Sequence, residues 1–458
     1  MAPERFHSVS LLEDKCRGCT NCIKRCPTEA IRVREGKARI NAERCIDCGE
    51  CIRTCDNHAK VAVTDSIERL RDFRATIALP APSLYGQFDQ RVAGDVRRIY
   101  RDVMGALLAL GFDAVYDVAY AADIASFITR THIESGATEK PCISSACPAV
   151  VRLVQVRFPS LISHLLPVDP PIQIAGKLAK RIYASRSGID TRDIGAFFIT
   201  PCAAKMRWVR EHINPGGETY VDGAISVAGI YGDLLKNMGA GESGPSSLSD
   251  TASGLGVGWG ASGGENRAVG LENYLVVDGI HNVIAVFEEI EMGRLASVNF
   301  IEAQACTGGC VGGPLMVKNP FVGRVNIRRL AVGMREASPF NEQEESHIMG
   351  LYRAGFFETR EDLQPVAAFK LDEDMSKAIA KMGQLEKVLE DLPGLDCGSC
   401  GSPHCRALAE DIVQGLAVET DCVFKLREQV KKLAEELFYL AQKDPSAMSK
   451  PDKTGQGQ

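Results

Sequence analysis

A chain of 458 residues is too long for one ordinary core, so three or more domains are expected. Its composition, 45% hydrophobic and 24% charged, is that of a soluble globular protein, and a formal charge of −6 without a long basic stretch argues against nucleic acid or anionic membrane as a partner. The N-terminus lacks a signal-type apolar segment and no apolar run approaches the roughly 18 residues of a membrane span, so a cytoplasmic location is expected.

In a reducing compartment seventeen cysteines read as metal ligands rather than disulfides. They fall into three groups: eight before residue 60, five between 142 and 310, and four between 397 and 422. The first group, in residues 1–65, has Cys16-x-x-Cys19-x-x-Cys22-x-x-x-Cys26-Pro27 followed by Cys45-x-x-Cys48-x-x-Cys51-x-x-x-Cys55. In the bacterial two-cluster run, three close thiolates hold one cubane and the fourth cysteine ligates the other. By that rule Cys16, Cys19, Cys22 and Cys55 hold one [4Fe-4S] cluster, and Cys45, Cys48, Cys51 and Cys26 the second. Zinc would not need the third and fourth cysteine of each run. Asp56 replaces the proline after the second run, which touches no ligand, and His58 reads as a surface or helix-end residue. Ile31-Arg32-Val33 and Ala38-Arg39-Ile40, on either side of Glu35-Gly36-Lys37, predict short strands of a ferredoxin-type module.

From about residue 74 apolar strands alternate with amphipathic helices, which predicts parallel sheets with sites at strand ends. Ala75 to Leu79, Phe112 to Tyr120 and Gly195 to Thr200 read as strands. Val96, Ile99, Tyr100, Val103 and Leu107, and the stretch Ala122 to Ile133, read as helices. The Gly- and Ser-rich segment Gly239 to Gly270, with Trp259 at its centre, fits either a linker or a loop laid over a buried site. Asn273 to Phe287 is strand-like. Residues 66–335 form the central domain, and 336–385 a charged helical extension. Residues 386–425 then contain Cys397-x-x-Cys400-x4-Cys405-x16-Cys422, and 426–444 an amphipathic helix. Val423, Leu426, Val430, Leu433, Leu437 and Leu440 form a short coiled-coil seam. A lone helix packed on its own domain and a dimer or signalling helix both fit it. Residues 445–458 are expected to be disordered.

Three motifs of the central domain need one explanation: Pro141-Cys142-Ile143-Ser144-Ser145-Ala146-Cys147-Pro148, Thr200-Pro201-Cys202-Ala203-Ala204-Lys205 and Glu302-Ala303-Gln304-Ala305-Cys306-Thr307-Gly308-Gly309-Cys310. Together with Ala81-Pro82-Ser83 they resemble, in type and in order, the cluster-binding signatures of [FeFe]-hydrogenases. The resemblance covers roughly two thirds of the chain. It implies an α/β, two-lobed H-cluster domain between the ferredoxin-like module and a small C-terminal α domain with one [4Fe-4S] cluster. It also implies an H-cluster, a [4Fe-4S] cubane joined to a di-iron subsite with CO, cyanide and a dithiolate amine. Cys147, Cys202, Cys306 and Cys310 would hold the cubane, with Cys310 as the bridge. Lys205, and Ser83 beside Pro82, would face the cyanides. Glycines at 308, 309, 312 and 313 would let backbone approach the metal. The C-terminal motif, Cys397, Cys400, Cys405 and Cys422, resembles a small [4Fe-4S] domain of electron-transfer and corrinoid proteins.

The departures from the family pattern carry the functional expectation. Active members place a proton-passing cysteine where this chain has Ala146. Their outer relay uses glutamates where Ala122 to Thr129 has none, and their pocket methionines correspond to Thr200 and Gln304. Such changes resemble the sensory subgroup, so a slow hydrogenase is expected that binds H2, exchanges protons and reports redox state to a redox or signalling partner, a kinase or phosphatase, with a homodimer through the C-terminal helix as a further arrangement. The alternatives are a catalytic hydrogenase with a non-standard proton path and an iron-sulfur assembly factor without the di-iron subsite. Cys142 reads either as a small apolar core residue or as a substitute proton donor, a role for which Ser144 and Ser145 also compete.

Overall fold

The computed structural model describes residues 6–88, 97–211, 219–239, 247–334, 339–359 and 363–443. The expected disordered tail at 445–458 lies outside them. Two compact units divide the chain, and neither is continuous in sequence: the larger holds Met1–Arg17, Arg25–Ala30 and Ile40–Ala368, the smaller Gly18–Lys24, Ile31–Arg39 and Phe369–Gln458. Among the described residues no helix is long and apolar enough to cross a membrane.

The N-terminal region supplies β1 (Val9–Leu11), α1 (Asn21–Arg25), β2 (Ile31–Arg34), β3 (Lys37–Ile40), α2 (Glu50–Arg53) and β4 (Lys60–Ala62). β1 and β4 pair antiparallel, and β2 pairs with β3. The turn between β2 and β3 has positive φ at both Glu35 and Gly36, the backbone twist that a two-residue hairpin favours.

The larger unit continues through β5 (Ala75–Pro80), α3 (Arg97–Ala109), β6 (Ala114–Val115), α4 (Val118–Ser135), β7 (Cys142–Ile143), α5 (Pro148–Arg157), α6 (Pro171–Ser187), β8 (Ile194–Thr200) and α7 (Ala203–Glu211). It then adds β9 (Gly223–Ser226), α8 (Val227–Asn237), α9 (Gly254–Gly258), α10 (Gly264–Val269), β10 (Tyr274–Asp278), α11 (Ile280–Glu291), β11 (Phe300–Gln304), α12 (Pro320–Val332) and α13 (Glu342–Arg353). Two parallel sheets result, of order β6-β5-β8-β9 and β10-β11-β7. Every residue of β5 and β8 is buried, as expected of strands covered on both faces. Alternation sorts them: Ile77, Leu79, Ile194, Ala196 and Phe198 pack on one side with α4 and α6, while Ala78, Phe197 and Ile199 pack on the other with α3, α8 and α12.

Two elements differ from the sequence reading. The strand expected over Phe112 to Tyr120 is limited to Ala114–Val115, because Asp117 accepts the Ala119 amide at 2.9 Å and caps α4 from Val118 onward. Asn273 to Phe287 is a strand only to Asp278. Gly279, at φ 84°, turns the chain into α11, whose Val283, Ile284 and Phe287 recur at helical spacing. An apolar run alone does not separate the two.

In the smaller unit, α14 (Met375–Asp391), α15 (Cys405–Val413) and α16 (Val423–Ala441) follow. Leu385, Leu392, Leu408, Ala409 and Cys422 make its small core.

Candidate metal-cluster site

Parallel α/β sheets bind ligands beyond the carboxyl ends of their strands, and the motifs converge there. Cys147 follows β7 and forms the N-cap of α5, with Pro148 at the first helical position. Cys202 follows β8 and precedes α7. Cys306 follows β11, and Cys310 opens a short 3-10 turn. Pro82 and Ser83, both buried, follow β5. Cys147, Cys202, Cys306, Cys310 and Lys205 line one cavity, together with Ala146, Trp259, Glu265 and Gln304.

The electrostatics of this cavity favour a cationic metal core. Burial pushes the Cys202 thiol up to about 12, with Lys205 opposing, and the Cys310 thiol up to about 11. Cys306 is raised by burial in the same way. Thiolates so placed need a positive charge among them. Burial works against the charge of Lys205, but the surrounding sulfurs of Cys310, Cys202, Cys147 and Cys306 outweigh it and hold its pKa above the ordinary lysine value. The Lys205 ammonium is 3.4 Å from the Ala146 carbonyl.

The residues also fit the finer group that the sequence implies. Ser83 Oγ and Gln304 Oε1 are buried and make no hydrogen bond among the described residues; Gln304 lines the cavity, and Ser83 packs against Gly260, the residue after Trp259. The glycines act otherwise than expected: a Cβ at Gly309 would lie 2.5 Å from Gln304 Oε1 and 2.6 Å from Ser262 N, and one at Gly313 would lie 2.3 Å from Pro201 O. They let the loop pack against protein.

Of the replaced positions, Thr200 has a local task, since its hydroxyl accepts the Cys202 amide at 3.0 Å and lies 3.0 Å from the Cys202 carbonyl. Trp259 is buried, donates to Ser126 Oγ at 3.0 Å and lines the cavity, so the part of the Gly-rich stretch between α9 and α10 lies over the site. Cys142 lies on β7 among Ile133, Leu166, Val269 and Phe300 and does not line the cavity, which leaves it a core residue. Ser145 donates to the Val168 carbonyl. His58 is exposed, in a left-handed turn.

Two carboxyls that the sequence reading passed over complete the site. Ser144 Oγ donates to the buried Glu265 carboxylate at 2.7 Å, and Glu302 accepts the amides of Gly263 and Asn266 at 2.8 Å each. Burial first and their mutual repulsion second push Glu265 well above the ordinary carboxylate range; burial raises Glu302 too. A pair so placed keeps a proton at neutral pH. The visible signal was an acid amid small residues in Gly263-Gly264-Glu265-Asn266.

The second ferredoxin run adjoins this cavity. Cys45 and Cys48 are raised by burial and then by neighbours that include Cys26 and Cys51. From α2, Arg53 reaches to 3.5 Å from Cys306 Sγ and 3.1 Å from the Gly312 carbonyl. Arg207 on α7 donates to the Cys45 carbonyl at 3.1 Å and to Asp47 at 3.2 Å, all buried. Cys16 and Cys55 belong to the larger unit, Cys19 and Cys22 to the smaller. In the smaller unit Cys400, Cys405 and Cys422 share one core, and Asp396, next to Cys397, accepts the Cys405 amide at 2.7 Å.

The family profile "Iron only hydrogenase large subunit, C-terminal domain" matches residues 74–272 and 265–314, a "4Fe-4S dicluster domain" profile matches 8–56, and an Fe-S cluster profile matches 392–424. Iron hydrogenase 1 of Clostridium pasteurianum is 25% identical over 408 residues, covering 75% of this chain and 70% of that protein. The periplasmic [Fe] hydrogenase large subunit of Nitratidesulfovibrio vulgaris is 26% identical over 366 residues, 68% of this chain and 86% of its own length. A probable cytosolic Fe-S cluster assembly factor of Caenorhabditis elegans is 22% identical over 375 residues, 70% of this chain and 81% of its own. A solved [FeFe]-hydrogenase of Chlamydomonas reinhardtii superimposes with a TM-score of 0.45 at 16% identity, covering 63% of this chain and 91% of that one.

Proposed function

Because the chain belongs to the iron-only hydrogenase large-subunit family, we propose that it is a sensory [FeFe]-hydrogenase of low turnover, which takes up H2 at an H-cluster and relays redox state through its [4Fe-4S] clusters to a signalling partner. The observation that carries this reading is Ala146. It lines the cavity beside Cys147 with a methyl group, where a fast enzyme of the family would carry a thiol. General acid-base steps contribute about 10²- to 10⁴-fold each, so its loss slows turnover while leaving H2 binding intact.

Cys147, Cys202, Cys306 and Cys310 would hold the cubane, while Lys205 and Ser83 would face the cyanides of the di-iron subsite. When bound, that group supplies heterolytic H2 chemistry, in which one H2 yields two protons and two electrons. The chain's own residues govern the rest. Lys205 holds a positive charge against the cavity, Trp259 covers it, and Glu265 can hold a proton at its carboxyl and pass it toward Glu302 and the partly exposed Asp278. Arg53 hydrogen-bonds Cys306 on the side where the electrons leave toward the Cys45 run.

Infrared spectra of the maturated protein test the reading. CO and cyanide bands that change on adding H2, with turnover far below that of robust hydrogenases, are expected. Bands that do not respond to H2 would sink the proposal. High native turnover would instead favour the second reading, a catalytic hydrogenase whose detour is the Glu265 and Glu302 pair. Complete absence of CO and cyanide bands would favour an assembly factor, against which the Lys205 and Ser83 placements stand.

The partner side of the proposal rests on α16. Leu426, Val430, Leu433, Leu437 and Leu440 are each 45% or more exposed. Valine at the first two of the three a positions, Val423 and Val430, with leucine at every d favours two strands, so the fitting occupant is the same helix of a second copy.

A further inference from the structure

Lys24 lies two residues after Cys22 on α1. In the structure its ammonium donates to the carbonyls of Asp396 and, at 2.8 Å, Pro403, on either side of the loop that carries Cys397 and Cys400. The fit is close: a Cβ at Gly398, whose φ is +78°, would lie 2.8 Å from Lys24 Cε. An ammonium has three donors and no acceptor, so two carbonyls converging on it make a directed contact.

The same loop is held from a second side. The Val33 amide donates to the Gly401 carbonyl at 2.8 Å and Arg34 Nη1 donates to the Cys400 carbonyl at 3.0 Å. A Cβ at Gly401 would lie 1.9 Å from the Val33 carbonyl, so only glycine allows β2 to come so near. Arg32 and Arg34 then both pair with the buried Asp411 of α15, at 2.7 and 2.6 Å, and Ser402 joins at 3.1 Å. The effect of these contacts is to fix that loop against the helix and hairpin of the ferredoxin-like module.

We propose that Lys24 is a positioning residue that clasps the C-terminal cubane loop to the helix bearing Cys22. The C-terminal cluster is thereby the one-electron exchange partner of the cluster to which Cys19 and Cys22 contribute. One electron leaves a reduced cubane and reduces its oxidised neighbour, with no bond or proton moved. Tunnelling falls steeply with distance, so a clasp that shortens the gap sets the rate. This rests on the cubane assignments above but not on hydrogen chemistry.

The test uses the full chain with its cubanes loaded and reduced by dithionite, so a failed di-iron site cannot be mistaken for a failed clasp. Titration followed by EPR should show the C-terminal couple with a signal broadened by a neighbouring reduced cubane. Lys24→Met removes a positive charge that stabilises the added electron. It should lower that couple, by up to a tenfold change in the reduction equilibrium, about 59 mV for one electron, and narrow the signal. Lys24→Arg should restore both. Unchanged potential and linewidth in Lys24→Met with full iron content overturn the proposal. Should Lys24→Met lose iron, Asp411→Asn, which releases the other side of the loop and is itself no ligand, decides at full iron content: a narrowed signal supports the clasp and an unchanged one overturns it.

Discussion

Ala146, Glu265 and Arg53 divide the work of the cavity between them, and each can be tested alone. Ala146→Cys restores a thiol beside Cys147 and should raise H2 turnover by orders of magnitude, up to the 10²- to 10⁴-fold range of a general acid-base step; turnover that stays flat would show that the proton leaves elsewhere. Glu265→Gln should slow H2/D2 exchange. It also has a stability signature. Its folded pKa is raised from 4.5 to about 8 by burial and by Glu302, so the stability this group contributes is full below pH 4.5 and is lost as pH rises toward 8. Thermal unfolding should therefore show Glu265→Gln gaining on the native protein near pH 8 and converging with it near pH 4. Arg53→Met removes a charge-assisted N–H···S bond to Cys306, and infrared-monitored titration should find the reduction of the cubane shifted to lower potential. Legibility in the sequence differed sharply between these residues. Cluster ligands repeat at spacings that metal geometry imposes, so the cysteines announced themselves, and Ala146 stood out as a gap in a known pattern. Glu265 is a single acid in a glycine-rich loop, and only the fold shows that it faces the cavity.

At the scale of elements, α2 and α7 are the short helices that join one cluster site to the next. Asp47, one residue before Cys48, pairs with Arg207 while both are buried, and Ser8 Oγ lies 2.9 Å from Asp47 Oδ1 and 2.8 Å from the Ala203 carbonyl. Removing one partner strands the other charge. Asp47→Ala should destabilise the larger unit by about 3–5 kcal/mol in anaerobic denaturation, whereas Arg192→Ala, in an exposed pair with Asp190, should change it little. For α16 the measurement is mass. Sedimentation should find a dimer for the native protein and a monomer for Leu433→Glu; equal masses would leave α16 a lone helix. The buried strands β5 and β8 were readable from their apolar runs and following prolines. The helix over Ile280–Glu291 was not, because its apolar residues continue directly from β10 and only the Gly279 turn divides them.

The whole molecule is two compact units whose segments cross in sequence. Cysteine grouping predicted three clustered regions in order along the chain, and the matched profiles over 8–56, 74–314 and 392–424 follow that order. What spacing alone could not convey is that residues 18–24 and 31–39 pack with described residues beyond 369, since contacts so far apart in sequence leave no periodic trace. The crossing also sets an order of events on the ribosome. Chains emerge from the N-terminus and domains tend to fold as they appear. Here β2 and the Lys24 helix are synthesised early, yet the Val33 amide and the guanidinium groups of Arg32 and Arg34 meet their partners, the Gly401 carbonyl and Asp411, only after residue 411 has been made. The Cys397–Cys422 segment is therefore among the last parts of the protein able to close, and a chain stalled in translation would carry the Lys24 helix and β2 without their cover.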